Sequence, residues 1–476
     1  VPAAVVAHNH GVESAPPLSY WLAASPRPAA ARAPSLRGDA VADVAIVGAG
    51  HTGLWTAIRL LETDPGLRVR VLEMEHVGFG ASGRNGGFCE ASLTHGLENG
   101  LRHFPDEMDV LLREGQANLR ELVAFLGSHD IACHLEETGL LHLTDRPDDV
   151  DEFRAHAELA NGHGERTIFL DGPAARSEVH SPRWTAGLWK PDAGVMLDPV
   201  KLAQGLARVA VEMGAVLHEE TRVTGIERVA GGVRLGTVAA DGAPGSVRAS
   251  QAVVATSAYS GWLRRLLPLF VPVYDYALVS EPLTPEQRAA IGWARRQGLS
   301  DAYNQFHYFR LTADDRVLWG GGDAIYHPGN GVGPTFDRRP ATFERLEADF
   351  RATFPQLAGL RFPFRWGGAI DTTTRFTVTF GRTIGDRVVY ALGYTGLGVG
   401  AARWAAGIVR DMLLRPDSEL LRLRFVRTKP FPFPPEPLRS LVVEAVHNEL
   451  VRADAGGGRR GPLLRALDAL GIGFDS

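Results

Sequence analysis

Hydrophobic positions change period along this chain, and each change marks an element. Val44-Ala45-Ile46-Val47 is apolar without interruption, the pattern of a strand that a parallel sheet covers on both faces. Leu54, Ile58 and Leu61 then recur at helical spacing through residues 52–63, and Asp64-Pro65-Gly66 ends the run. Val69 to Leu72 returns as a strand ending in Glu73, which completes a β-α-β unit. Residues 105–128 and 200–213 predict amphipathic helices, with a short strand at Leu140–Leu143 and a charged helix at 148–160 between them. Strands are predicted at Val216–Leu217, Val223–Arg228, Val233–Leu235 and Val247–Ala249, and Ala252 to Ala255 predicts one that rejoins the first sheet.

Residues 271–280 and 303–323 alternate and are aromatic, the signature of a second, antiparallel sheet. A helix is predicted over 341–354, a buried strand at Val388–Leu392 and a helix over 399–414. Two short helices follow a proline cluster running from Pro430 to Pro437, and no internal repeat is visible. The expected class is α/β with an α+β insert. A discontinuous Rossmann-like domain takes residues 41–105, 195–270 and 385–415, and a substrate domain with a mostly antiparallel sheet takes 106–194 and 271–384. An N-terminal arm at 1–40, pinned by Tyr20-Trp21, and a C-terminal extension at 416–476 flank them.

Composition narrows the class. A chain of 476 residues with 45% hydrophobic content can bury two cores. A net charge of −5 offers no basic field for nucleic acid or an anionic membrane. Cys89 and Cys133 are the only cysteines, which fits a reducing compartment and excludes a disulfide scaffold or a cysteine-built metal site. No metal site is expected. No apolar run of ~18 residues predicts a membrane span. The first forty residues lack the basic-then-apolar layout of a signal peptide, so a cytoplasmic protein is expected.

The candidate chemistry lies in two glycine turns, Gly48-Ala49-Gly50-His51-Thr52-Gly53 and Gly393-Tyr394-Thr395-Gly396-Leu397-Gly398. Each follows a predicted strand and precedes a predicted helix, so backbone N–H groups can approach an anionic ligand with no Cβ in the way. Glu73 lies roughly 20 positions past the first turn, where a ribose hydroxyl needs an acceptor. By themselves the first turn and Glu73 fit NAD as well as FAD. The second turn, and the loop Gly78–Gly87 directly after Glu73, point to one long cofactor gripped from both ends of the sequence, FAD.

The stretches VAIVGAGHTG, VLEMEHVGFGASGRNGG and YALGYTGLGVG resemble the D-amino-acid oxidase/glycine oxidase superfamily of flavoproteins, nearest its γ-glutamylputrescine oxidoreductase-like branch. SYWLAASPRP, DAGVMLDPVKLAQGLARVAVEMGA, HYFRLTADDRVLWGGGD and FPQLAGLRFPFRWGG extend the likeness over roughly residues 18–415. The resemblance implies FAD. Gly48, Gly50, Thr52 and Gly53 would approach the pyrophosphate and Glu73 the adenosine ribose. Ala81, Ser82, Arg84, Asn85, Gly86 and Gly87 would follow the ribityl chain and ring. Val223 would hold adenine through its backbone, and Ala255 and Thr256 would lie beside the cofactor. Gly393, Gly396, Leu397 and Gly398 would set a helix N-terminus at the pyrimidine edge, where its dipole favours the reduced anion. Ala49, His51, Met74, Gly80 and Val399 complete the expected cofactor set.

Some relatives tether FAD through a cysteine in the C-terminal third or a histidine in the loop occupied here by ASGRNGG. This chain has neither, so non-covalent FAD is expected, with His51 packing near the flavin. The strand Arg316-Val317-Leu318-Trp319 lacks the lysine that sarcosine-oxidase-like relatives use to activate oxygen. The implied reaction is hydride transfer from the carbon beside an amine nitrogen to flavin N5, imine hydrolysis, and reoxidation by molecular oxygen with release of hydrogen peroxide. The substrate is a small amine or amino acid. A dehydrogenase using another acceptor, or a flavin-binding module without turnover, are the alternatives. His307, Tyr308, Arg310 and Tyr394 are the candidate substrate-positioning residues, with Tyr274, Tyr276, Trp366 and Asp371 behind them. Gly322-Asp323 imitates a flavin motif that leads into a helix, which Pro328, Gly329, Gly331, Gly333 and Pro334 forbid here.

Overall fold

Gly38–Val47 runs through the middle of an eight-stranded sheet in a computed structural model that describes residues 19–28, 31–469 and 471–472. The strand order is Thr379–Thr383, Val388–Leu392, Pro244–Val254, Gly38–Val47, Val69–Leu72, Val216–His218. The last five are mutually parallel, and Thr379–Thr383 closes the edge antiparallel to its neighbour. Ala45 and Ile46 are fully buried, as an apolar strand covered on both faces must be. Helices His51–Thr63, Gly398–Leu414 and Pro199–Glu212 cover one face. The last starts where Asp198 accepts from Val200 N and Lys201 N, with Pro199 at the first helical position.

Register fixes where a ligand can sit. Val47 stands level with Leu72 on one side and Val254 on the other, so these parallel strands end together. Val254 in turn pairs with Tyr390, two residues before its own strand ends. Both glycine turns, Glu73 and Ala255-Thr256 therefore leave from the carboxyl ends of four neighbouring strands, where open α/β sheets bind their ligands.

The second sheet has nine strands. Val271–Val279 pairs along its full length with Phe364–Thr372 and on the other side with Val317–Gly321, followed by His307–Leu311, Gly298–Asp301, Leu140–Thr144, Ala186–Lys190 and Ile168–Asp171. Its pairings are antiparallel except Gly298–Asp301 with Leu140–Thr144, so the sheet is mixed. Helix Pro340–Thr353 lays Phe343, Leu346 and Phe350 against Tyr276, Phe309 and Trp319.

Several boundaries differ from the sequence pattern for identifiable reasons. Residues 303–323 form a hairpin of two strands, because Thr312 and Arg316 close a turn at 2.9 Å with Asp315 at φ 56°. Pro244–Val254 is one continuous strand, held by Gly38–Val47 along nearly all of its length. Helix Met108–Ser128 packs its Leu111, Leu119, Leu122 and Leu126 into the core of the first sheet, with Phe125 edge-on to Trp55 at 4.8 Å. Thr379–Thr383 also belongs to that sheet. The first 18 positions of the N-terminal arm lie outside the described residues, but Tyr20-Trp21 is buried. After the proline cluster the chain forms an 18-residue helix, Leu438–Ala455, and a short one, Pro462–Ala469. Among the described residues no helix is long and apolar enough to cross a membrane.

Candidate active site

A cavity of about 1050 Å³ opens at the carboxyl ends of the parallel strands and continues between the two sheets. That size lies at the upper end of ligand sites, roughly 300–1,000 Å³. The first turn is built for close approach. Gly48 holds φ +105°, and a Cβ there would stand 2.5 Å from the Ala255 carbonyl oxygen. A Cβ on Gly53 would stand 1.9 Å from the Gly48 carbonyl oxygen, so the helix can begin this near the strand only with glycine. Glu73 accepts from Ala49 N at 2.7 Å and Glu75 N at 3.0 Å. Burial pushes its carboxyl up to about 7, against the pull of those two N–H groups.

The second turn hangs on Asp371, whose carboxylate accepts from Gly393 N at 2.5 Å and whose carbonyl accepts from Thr395 N at 3.1 Å. Burial raises Asp371 to about 6. The side chain is therefore turn scaffolding, bonded to backbone and to the Ser257 side chain. Gly396 sits at φ +95° with open space where a Cβ would project, and the helix begins two residues later at Gly398. Thr52 Oγ1 donates to the Tyr394 hydroxyl at 2.9 Å and so ties the two turns together.

The loop Ala81–Gly87 is held from several sides. Ser82 Oγ accepts from His51 N at 2.9 Å, and Asn85 bonds Ala81 O, Ser82 O and Gly87 N within the loop. Buried Arg84 donates to Asp337 at 2.8 Å and Gly367 O at 3.1 Å, while Trp366 Nε1 donates to Arg84 O at 2.8 Å. From the N-terminal arm, Ser19 Oγ donates to Gly83 O and Trp21 Nε1 to Asn85 O, at 2.5 and 2.7 Å. The arm thus braces this loop.

Of the expected cofactor set, Gly48, Gly50, His51, Thr52, Glu73, Met74, Gly80, Ala81, Ser82, Arg84, Asn85 and Gly86 line the cavity. Val223, Ala255, Thr256, Gly396, Leu397, Gly398 and Val399 line it too. Ala49, Gly53, Gly87 and Gly393 do not; they shape the turns behind it. His51 gives its Nε2 to Pro199 O at 3.0 Å, and burial lowers it to about 4, so it stays neutral.

Two substrate-positioning candidates lie elsewhere. His307 alternates with Tyr308 along its strand, so its ring faces away from the cavity and meets Asp301 at 2.7 Å. Burial alone would lower it, but Asp301 and Asp349 raise it to about 9. Arg310 is fully buried and donates to Gly87 O and Leu197 O at 3.0 and 2.8 Å, which commits its guanidinium to backbone outside the cavity lining. Tyr308 and Tyr394 do line the cavity. Tyr308 donates to Asp275 at 2.5 Å, and burial raises Asp275 to about 6. Gly322-Asp323 leads into the short strand Ile325–Tyr326, and Asp323 is engaged by Thr342, Arg345 and His447.

The sequence pattern did not single out the rest of the wall. Glu90, Glu98, His142, His156 and Lys190 line one end, and Phe431, Phe433, Val442, Val446 and Leu450 of the C-terminal extension line another part. The alternation of Phe88 and Glu90 about buried Cys89 was the readable signal for the first group. The extension carried none, because its residues meet the cavity only through long-range packing.

The sequence model described as FAD dependent oxidoreductase, DAO, matches residues 43–412. The chain belongs to the DAO family of FAD-dependent oxidoreductases. It is 30% identical over 413 residues to γ-glutamylputrescine oxidoreductase of Escherichia coli (strain K12), across 84% of this chain and 89% of that protein. It is 23% identical to sarcosine oxidase subunit beta of Rhodobacter capsulatus, across 70% of this chain and 75% of that one. Among solved structures, glycine oxidase from Geobacillus kaustophilus superposes with a TM-score of 0.68 at 21% identity, covering 82% of this chain and 99% of that one. The fold of L-proline dehydrogenase from P. horikoshii is likewise shared, with a TM-score of 0.66 at 19% identity over 82% of this chain and 97% of that one.

The residues present fit the family's cofactor. In this DAO-family chain the glycine turn backbones and the helices starting at His51 and Gly398 open on the cavity, and Gly396 lines it with open space where a Cβ would project.

Proposed function

We propose that this chain oxidises a C–N bond of an amine or amino acid, with FAD bound non-covalently and molecular oxygen as the final acceptor, releasing hydrogen peroxide. Bound FAD supplies the acceptor for the hydride that leaves the carbon beside nitrogen. The observation that carries the reading is the continuity of one cavity from both glycine turns past Phe88 and Tyr308 into the second sheet. The relatives named above support the reading, since each is named for an amine or amino-acid substrate.

The protein's own residues orient the substrate and keep water out. Phe88 and Tyr308 meet edge to face at 5.8 Å in the cavity wall. Tyr308 is locked by its bond to Asp275, so its ring presents a fixed wall. The apolar side chains of the C-terminal extension exclude solvent from the same space. A dehydrogenase that passes electrons to a carrier is favoured by one observation: the strand Val317–Gly321 carries no lysine to promote the reaction with oxygen.

Anaerobic mixing with primary and secondary amines and with D- and L-amino acids tests the proposal. Bleaching of the yellow protein by one class supports it, and an unbleached flavin throughout refutes it. Substrate-dependent peroxide release then supports oxygen as acceptor, whereas turnover only with an artificial dye favours the dehydrogenase.

A further inference from the structure

Glu90 closes the strand Phe88–Glu90, which pairs with Gly194–Met196. Alternation buries Cys89 completely and turns Phe88 and Glu90 toward the cavity. Glu90 is enclosed, and the surface it keeps faces cavity space. Among the described residues no hydrogen bond or ion pair reaches its carboxylate; burial raises its proton affinity, and the one charge opposing that is the more distant Lys190.

Lys190 is already committed. Its Nζ lies 3.1 Å from His156 Nε2, and His156 Nδ1 lies 2.9 Å from Glu98 Oε1. A neutral imidazole protonated on Nδ1 satisfies both contacts, accepting from the ammonium and donating to the carboxylate. Lys190 and Glu98 therefore balance each other through His156. Arg146, the other cation at this end, donates to Asp149 at 2.7 Å and Ala302 O at 2.8 Å. His142 bonds Ser300 Oγ at 2.9 Å and is lowered to about 3 by burial and by the nearby cations, so it adds no charge. Among the described residues Glu90 is left without a cationic partner, as are Glu152 and Glu165, which line the same cavity, and an enclosed carboxylate sustains its charge poorly in that state.

The reacting nitrogen of an amine must be neutral, because its lone pair stabilises the carbon that loses hydride. A carboxylate that binds an ammonium keeps it protonated, so the cation Glu90 receives is a second one. We infer that Glu90 selects amines that carry a second, non-reacting cationic group, such as diamines and polyamines, over monoamines. This rests on the amine-oxidising reading above and specifies its substrate class.

The experiment compares α,ω-diamines with n-alkylamines of the same length on the FAD-loaded enzyme, wild type and Glu90→Gln. Calorimetric titration of the reduced enzyme measures binding without turnover, and anaerobic flavin reduction separates apparent affinity from limiting rate. The wild type should bind the diamines about ten- to a hundredfold more tightly, the weight of one charge-assisted hydrogen bond. Glu90→Gln should erase that preference through affinity. Equal binding of both series by the wild type, or a preference that survives Glu90→Gln, overturns the assignment while amine bleaching still upholds the wider reading. A loss confined to the limiting rate and equal for both series also overturns it, since that is the mark of proton handling. If no amine binds or bleaches, both fail together. Should Glu90→Gln not fold, the wild-type comparison still decides.

Discussion

Thr52 and Tyr394 stand 342 positions apart in sequence, and the Thr52 hydroxyl donates to the Tyr394 hydroxyl at 2.9 Å. Thr52 lies inside the first glycine turn, in the first turn of the helix His51–Thr63, and Tyr394 lies inside the second. Both line the cavity, so the two glycine turns are joined at its wall. Thr52→Val and Tyr394→Phe should each weaken FAD binding by about 1 kcal/mol, and the double variant by less than the sum. Fluorescence titration of apoprotein with FAD provides the cycle. Strict additivity would show that the bond does not couple the turns.

Glycines in the two turns should fail differently. At Gly53 a Cβ would meet backbone 1.9 Å away, so Gly53→Ala should disturb folding itself. At Gly396 a Cβ meets nothing within 4 Å, so Gly396→Ala carries only the cost of φ +95°, about 1–2 kcal/mol. That variant should give folded, colourless protein with a native far-ultraviolet spectrum. Yellow Gly396→Ala protein with unchanged affinity would show that the second turn does not touch the cofactor.

Glu73 predicts a pH dependence of opposite sign in apoprotein and FAD binding. Its folded value of about 7 lies above the ordinary 4.5, so the folded apoprotein holds the extra proton. The stabilisation is complete below 4.5 and is lost as pH climbs through about 7. A ribose hydroxyl donates to the ionised form, so FAD should bind more tightly, by about tenfold, as pH rises across the same window. Asp275 and Asp371, each raised to about 6, lower apoprotein stability in the same direction. Glu73→Gln should therefore flatten the binding profile and only part of the melting profile. A binding profile that is unchanged in Glu73→Gln would sink the assignment.

The glycine turns that line the cavity were legible because glycine chemistry is local. Gly48, Gly53 and Gly393 announce positive φ or close approach from the residues themselves, and the strands before them are short apolar runs. The substrate half was not legible in the same way. His307 and Tyr308 are neighbours of similar chemistry, and only the registration of His307–Leu311 against Val317–Gly321 sends one ring to Asp301 and the other to the cavity. Arg310 stood among the substrate-positioning candidates because sequence cannot show that its guanidinium donates to the Gly87 and Leu197 carbonyls. Helix Met108–Ser128 reads as amphipathic, but its partner, Trp55 in the first domain, is a tertiary fact.

Arg310 gives a test of that correction. Its guanidinium satisfies the carbonyls of Gly87, Leu197 and Leu311 at once, and Gly87 ends the loop whose Ala81 to Gly86 stretch lines the cavity. Lysine cannot reproduce the fork. Arg310→Lys should lower the melting temperature and the FAD occupancy together, while Michaelis constants of the remaining yellow fraction stay level. A selective rise in Michaelis constant for carboxylate-bearing substrates, with FAD retained, would show that Arg310 positions substrate after all.

The C-terminal extension supplies the last prediction. It lies beyond the matched family region, which ends at residue 412, yet Phe431, Phe433, Val442, Val446 and Leu450 wall the cavity. It is fastened by polar bonds: Thr374 donates to Phe431 O at 2.8 Å, Phe433 N to Pro268 O at 2.7 Å, and Asp454 accepts from Asn304 N and Gln305 N at 2.8 and 3.0 Å. None of the glycine turns, Glu73 or the Ala81–Gly87 loop depends on these bonds. Ending the chain before Lys429 should therefore leave FAD bound but open the cavity to solvent. Iodide should quench the flavin fluorescence of the truncated protein more efficiently, and the Michaelis constant for amines should rise about tenfold as apolar wall is lost. Equal quenching in both proteins would mean that the extension is not part of the cavity wall in solution.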